Sequence, residues 1–179
     1  MLKKLLATTV IFASSLSTAL AGSLYIGPGL EWQNVSMHSN HYQGLSPKLS
    51  LGYGEWVNES FFMAGEFSGA PWSIDMNNEP KNGKSLKLKY SYAASVIPGF
   101  PLDEMLMIYG RVGYQYSRFQ QLDLGKGGVL LGLGLGVNLT PCWDLRAEYN
   151  YIKYGSIGNV GKPSAYEIYV GGVYRFYTF

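Results

Sequence analysis

The feature that most limits how this chain can fold is a two-residue rhythm of apolar and polar side chains, recurring in strand-length stretches from residue 23 to the end. The last stretch, Ala165 to Phe179, sets Tyr166, Ile168, Val170, Gly172, Tyr174 and Phe176 against Glu167, Gly171 and Arg175. Side chains alternate faces with period two along a strand and with period 3.6 along a helix. The chain is therefore expected to be all-β, its strands lying between two different environments. Its 23 glycines and 15 tyrosines agree with that, and no stretch carries a helical period.

The same rhythm runs through the rest of the sequence. Ser23 to Val35 opposes Leu24, Ile26, Leu30 and Trp32 to Tyr25, Gly27, Gly29, Glu31 and Gln33, with Pro28 predicting an edge, bulge or kink. Pro47 to Gly54 sets Leu49, Leu51 and Tyr53 against Lys48 and Ser50. After a turn near Glu55 to Glu59, Phe61, Met63 and Phe67 oppose Ala64, Glu66 and Ser68. A fourth strand sets Leu86, Leu88, Tyr90, Tyr92, Ala94 and Val96 against Lys87, Lys89, Ser91 and Ser95, and Pro98-Gly99-Phe100-Pro101 is expected to break it. The fifth places Leu106, Ile108, Val112, Tyr114 and Tyr116 opposite Tyr109, Arg111, Gln115 and Ser117. The sixth, Val129 to Leu139, alternates large aliphatics with Gly132, Gly134 and Gly136. A dinucleotide-binding loop needs G-x-G-x-x-G opening a helix, so small side chains on a crowded strand face explain these glycines better, and no cofactor is expected. The seventh sets Leu145, Ala147, Tyr149 and Tyr151 against Asp144, Arg146, Glu148 and Asn150.

With the closing stretch, this makes eight strands, separated by polar segments at residues 37–46, 73–84, 118–127 and 155–164 that alternate with shorter turns. Strands of about 9 to 11 residues cross a bilayer when tilted. An antiparallel up-and-down barrel, closed by its first and last strands, leaves no unpaired edge. Volume assigns the faces: the interior of an eight-stranded barrel is just filled by side chains. The Leu-, Tyr-, Trp- and Phe-rich face is too bulky for it and belongs to lipid, whereas a soluble barrel would turn that face inward. Tyr114, Tyr116, Tyr149 and Tyr151 lie toward strand ends, as an interfacial aromatic girdle requires. The lumen would then hold Glu31, Lys48, Glu66, Lys87, Lys89, Arg111, Arg146, Glu148, Glu167 and Arg175. Charges in so narrow a space must pair, so a salt-bridge network is expected rather than an open channel.

The N-terminus carries Lys3 and Lys4, the apolar run Leu5 to Ala13, and Ala19-Leu20-Ala21, the pattern of a cleaved signal peptide over residues 1–21. That run is shorter than the roughly 20 residues a spanning helix needs. The barrel domain is then 22–179. Without the two lysines, 12 basic residues face 12 acidic ones, so nothing in the charge favours a nucleic-acid partner. Cys142 is the sole cysteine, which excludes an internal disulfide, and Thr140-Pro141-Cys142 reads as a turn.

The signal peptide, the eight alternating strands, the run Asp144-Leu145-Arg146-Ala147-Glu148-Tyr149 and the aromatic C-terminus together resemble the OmpA-like and OmpX-like outer-membrane β-barrel proteins of Gram-negative bacteria. The resemblance implies a cell outer-membrane location, with lipid and lipopolysaccharide as surroundings. It also implies periplasmic termini and short turns, and extracellular polar loops that would carry any host or other extracellular ligand. In that family the barrel-assembly machinery reads the final strand. Here Tyr174 with Phe176, or the terminal Phe179, would be the signal. The resemblance does not extend to a wall-binding domain, so wall tethering is not implied.

Three functions follow as alternatives. The first is a non-enzymatic structural, adhesive or surface-interaction barrel. The second is a lipid-modifying enzyme of acyltransferase or deacylase type, with His38, Ser39 and His41 meeting Ser73 and Asp75 at the rim. The third is a small-solute pore, which eight strands disfavour. A metal site at His38 and His41 lacks a nearby carboxylate or cysteine ligand.

Overall fold

The strand at the end of the chain pairs back onto the first. In the computed structural model, which describes residues 22–37, 40–71, 74–79, 86–119, 124–155 and 163–177, the strands are β1 (Ser23–Met37), β2 (Asn40–Asn58), β3 (Phe61–Ala70), β4 (Ile74–Glu79), β5 (Leu86–Pro101), β6 (Leu106–Phe119), β7 (Leu124–Thr140), β8 (Trp143–Tyr154) and β9 (Ser164–Tyr177). All pairings are antiparallel. β1 pairs with both β2 and β9, so the sheet closes. β3 and the short β4 occupy the same place between β2 and β5, one below and one above Pro71, so together they form a single stave of an eight-stranded barrel. The expected signal peptide, residues 1–21, lies outside the described residues.

Burial follows the alternation as a membrane barrel requires. Large apolar side chains such as Leu30, Leu51, Phe67, Val112, Leu133, Ile168 and Val170 are exposed on the outer wall, while Glu31, Lys48, Glu66, Arg111 and Glu167 are buried within. Aromatic contacts mark the two edges of the apolar band. At the turn end, the ring centroids of Phe61 and Phe100 and of Trp143 and Tyr174 are each 5.1 Å apart. At the loop end, Phe67, Tyr92 and Tyr116 stack in series at 6.3 and 5.2 Å, and Tyr166 lies 5.1 Å from Tyr151.

The strands run further than their polar composition suggests. Met37 already pairs with Asn40, and residues 74–79 and 124–127 are strand rather than loop. In these segments backbone pairing with longer neighbours overrides the local turn chemistry. β2, at 19 residues, is about twice the length needed to cross a bilayer. Its upper part, with β1, β4 and the start of β5, therefore projects beyond the apolar band. Pro98 and Pro101 do not end β5. Pro98 falls where the β5–β6 register lapses, so its missing N–H breaks no ladder bond there, and its ring lies over the bare outer face of Gly110. Pro28 is tolerated in the same way, opposite a lapse in the β1–β9 register.

A second irregularity corrects one lumenal assignment. Leu88 pairs with Phe119 and Tyr90 with Arg118, so Lys89 is an extra residue in β5, a bulge. The bulge turns Leu88 into the barrel, where it is fully buried, and leaves Lys89 exposed outside. An uninterrupted alternation would have placed Lys89 inside.

Candidate functional site

The interior is stratified. At the level of β1 residues 31–33, Glu31 and Glu167 share Lys48, whose Nζ donates to both, at 3.4 Å to Glu167 Oε2. The amides of Gln33 and Gln115 each donate to Glu167 Oε1 at 2.6 Å. One layer toward the turns, Arg111 bridges Glu66 and Glu148, lying 3.0 Å from Glu148 Oε1, and its Nη1 donates to Ser95 Oγ at 3.3 Å. Arg146 donates to Glu66 Oε2 at 3.2 Å. The hydroxyls of Tyr25 and Tyr109 donate to Glu66 and Glu148, each at 2.9 Å, and Asn150 donates to Glu148 at 3.2 Å. The Arg146 guanidinium also lies over the Tyr25 ring, 4.6 Å from its centroid, so the cation is held by both charge and π-face.

The glycines of β7 make this layer fit. A Cβ on Gly134 would run into the Tyr109 ring, and one on Gly132 into the Asn150 carboxamide. The leucines that alternate with them face lipid.

The ionic layers lie between two apolar plugs. Toward the loops, Val35, Tyr42, Leu88, Leu130, Ile152 and Tyr154 pack together, and Tyr154 and Ser117 share a hydroxyl contact at 3.0 Å. Toward the turns, Tyr25, Phe62, Ile97, Met107, Tyr109 and Val173 pack with Trp56. Below them a vestibule of about 200 Å³ opens at the turn end. At its edge Arg175 grips Asp144 with two bonds of 2.6 Å and reaches Asn138 at 2.7 Å. Arg175 therefore belongs to the mouth, not to the central network. Lys87 stands in β5 opposite Asp75, and its side chain is outside the described set.

The plugs were not anticipated from the sequence. Their signal was present in the inward phase itself, where Tyr25, Ile97, Tyr109, Leu130, Ile152 and Val173 are apolar near the strand ends and the charges cluster at mid-strand.

A second constellation stands at the tip of the β1–β2 hairpin. Ser36 Oγ and His41 Nδ1 are 3.0 Å apart on the outer face, and the backbone of Glu79 pairs with that of His41. His38, Ser39 and Ser73 lie outside the described residues. Among the described residues, no group of three or more His, Cys, Asp and Glu is placed to hold a metal ion. Of the expected assembly signal, Tyr174 and Phe176 lie on the outer face at the turn end in edge-to-face contact at 5.0 Å, and Phe179 is outside the described residues.

A family model described as the outer membrane protein beta-barrel domain matches residues 4–176. The chain belongs to this outer-membrane β-barrel family. Membership places the barrel in the outer membrane of a Gram-negative cell, with its outer wall against lipid. Among solved structures, the barrel resembles Neisserial surface protein A, with 22% identity over 87% of this chain and 99% of that one, at a TM-score of 0.64. It also resembles Ail, the attachment invasion locus protein of Yersinia pestis, solved in complex with the heparin analogue sucrose octasulfate; identity is 18% over 88% of this chain and 100% of that one, at a TM-score of 0.62. The outer membrane enzyme PagL shares 13% identity over 80% of this chain and 97% of its own, at a TM-score of 0.56. At these identities the likeness is one of fold, and the same barrel architecture carries binding proteins and an enzyme alike. A comparison with curated protein sequences found no match.

Proposed function

We propose that this outer-membrane barrel is a non-enzymatic surface-interaction protein whose working face is the strand-built extension at the loop end. The observation that carries the reading is the contrast between a filled lumen and a projecting wall. Two apolar plugs enclose the ion pairs, while β4 ties together the upper parts of β2 and β5 beyond the apolar band. Strand pairing holds that extension at lower entropic cost to a partner than a free loop would impose. The complex of Ail with a heparin analogue supports a binding role for this barrel type, and the exposed Lys89 and Lys153 at the loop end suit an anionic partner.

The test replaces residues 74–79 by a short turn. The shortened barrel should still fold in detergent while bacteria displaying it lose adhesion to host cells. Unchanged adhesion would overturn the assignment of the extension. The same reading takes residues 1–21 as a cleaved export signal and the last strand as the segment read by the barrel-assembly machinery.

A second reading is favoured by one contact, Ser36 with His41, which is the nucleophile–base half of an acyl-transfer site. It supports a lipid-modifying enzyme of the kind PagL exemplifies as an outer membrane enzyme. Against it, His41 is exposed at a hairpin tip, whereas such chemistry relies on a sheltered oxyanion site. Mass spectrometry of lipid A from cells overproducing the wild type and Ser36→Ala separates the two: identical spectra remove the enzyme, and a modification lost in the variant establishes it.

A further inference from the structure

The charges of the lumen do not cancel layer by layer. Arg175 balances Asp144 at the mouth, and Arg111 and Arg146 balance Glu66 and Glu148 in the layer nearer the turns. In the layer nearer the loops, Lys48 is the one cation among the described side chains, and Glu31 and Glu167 share it. All three are buried. A second carboxylate without its own cation is costly to hold away from water.

The hydrogen bonds single out one of the two acids. Glu167 is engaged on both oxygens: Oε1 accepts from Gln33 and Gln115 at 2.6 Å each, and Oε2 from Lys48 at 3.4 Å. Such a set of donors suits an anion. Glu31 is engaged on one side only. Its Oε2 accepts from Lys48, while its Oε1 is buried without a partner. Ser46, directly across on β2, turns its hydroxyl to the Pro47 carbonyl instead. Gln33, two residues along the same face of β1, has the matching defect: its amide nitrogen goes to Glu167, and its Oε1 is buried with no donor. The layer therefore has one negative charge too many and too few donors. A proton on Glu31 Oε1 removes the charge and adds a donor, and unlike a bound metal ion it needs no cavity.

We propose that Glu31 is held as a neutral carboxylic acid and that its proton latches the β1–β9 seam. The two acids stand on the strands that close the barrel, where Glu31 pairs with Tyr169 and Gln33 with Glu167. Two anions there would repel each other across the closure. Besides Lys48 and Glu167, the titratable groups facing Glu31 are the phenols of Tyr169 on β9 and Tyr154 on β8. One layer toward the turns stand Glu66 of β3, Arg111 of β6 and Arg146 and Glu148 of β8, already matched, with the phenols of Tyr25 and Tyr109 bonded to the two glutamates. Among the described side chains, β5 presents Ser91 and Ser95 to this part of the lumen and β7 presents glycines, so neither strand supplies the missing positive charge.

Infrared difference spectroscopy of the detergent-folded barrel tests this. Wild type minus Glu31→Gln, near neutral pH, should show the C=O stretch of one protonated carboxyl, displaced in D2O. Glutamine reproduces the shape and the hydrogen bonding of the neutral acid, so Glu31→Gln should leave the unfolding constant in urea within about twofold of wild type. Glu167→Gln, which sets an amide against donors that meet a carboxylate, should raise it about tenfold or prevent folding. An ordinary glutamate in the unfolded chain gives up its proton well below neutrality. Unfolding of the wild type therefore releases a proton, and raising the pH favours it. Between about pH 6 and pH 9 the wild-type unfolding constant should climb relative to that of Glu31→Gln by up to about tenfold per pH unit, the linkage of one proton. Absence of the acid band, a Glu31→Gln barrel that does not fold, or the same pH dependence in both proteins overturns the latch.

Discussion

Arg111 bonds Glu66, Glu148 and Ser95 at once, so its loss leaves two buried carboxylates side by side with Arg146, on Glu66, as the cation that remains in that layer. Arg111→Met should destabilise the barrel by about 3–5 kcal/mol, the usual cost of removing one partner from a buried ionic cluster. Adding Glu148→Gln should recover part of the loss by removing the carboxylate that Arg111 had bridged to Glu66. Urea midpoints of the refolded proteins check both. Gly134 makes a second point at this scale. Gly134→Val should cost about 1–3 kcal/mol because the new side chain drives into the Tyr109 ring. Tyr109→Ala in the same chain should relieve the clash, although Glu148 then loses a donor. Gly134 was legible as a small residue on the inward face, but which ring it accommodates was not: Tyr109 is its neighbour only through the β6–β7 register.

Whole elements show where a period-two reading succeeds and where it slips. β8 and β9 follow the alternation without interruption, and Glu148 and Glu167 fall inside as the sequence implies. β5 slips, because a bulge is one extra residue and nothing around Leu88-Lys89-Tyr90 distinguishes it from regular strand; only the partner positions Arg118 and Phe119 reveal it. The prolines misled for a related reason. Whether Pro98 ends a strand depends on whether its missing donor was needed, and that is decided by β6. The closing strand yields a prediction of its own. Phe176 pairs with Leu24 and Tyr177 with Ser23, at the very start of β1. Deleting residues 177–179 should therefore preserve folding into detergent, with insertion in cells at no less than half the wild-type level if Phe176 is the residue read. A near-complete loss of insertion, scored by heat-modifiable migration of membrane fractions, would assign the signal to Phe179 instead.

For the molecule as a whole, two plugs and an ionic stratum fill the lumen among the described residues. Planar-bilayer recordings should show no unitary conductance steps, and Arg111→Ala should not open any, since the plugs at Leu130 and Phe62 are untouched. Because the central charges are buried, raising salt to 1 M should shift the unfolding midpoint little, as screening acts on exposed pairs. The charged residues of the network also span six strands, β1, β2, β3, β6, β8 and β9, and its longest link, Gln33 to Glu167, joins residues 134 apart. Until β9 arrives, Glu31 and Lys48 are already neighbours across the β1–β2 hairpin, but Gln33 and Gln115 have no Glu167 to meet. Ring closure and completion of the upper hydrogen-bonded layer, in which Glu167 takes up Gln33, Gln115 and Lys48, are thus the same event. A sheet still open at its seam would present unpartnered amides and exposed ion pairs to hydrocarbon, so the apolar interior of the membrane itself selects against premature burial and favours release only of the finished cylinder.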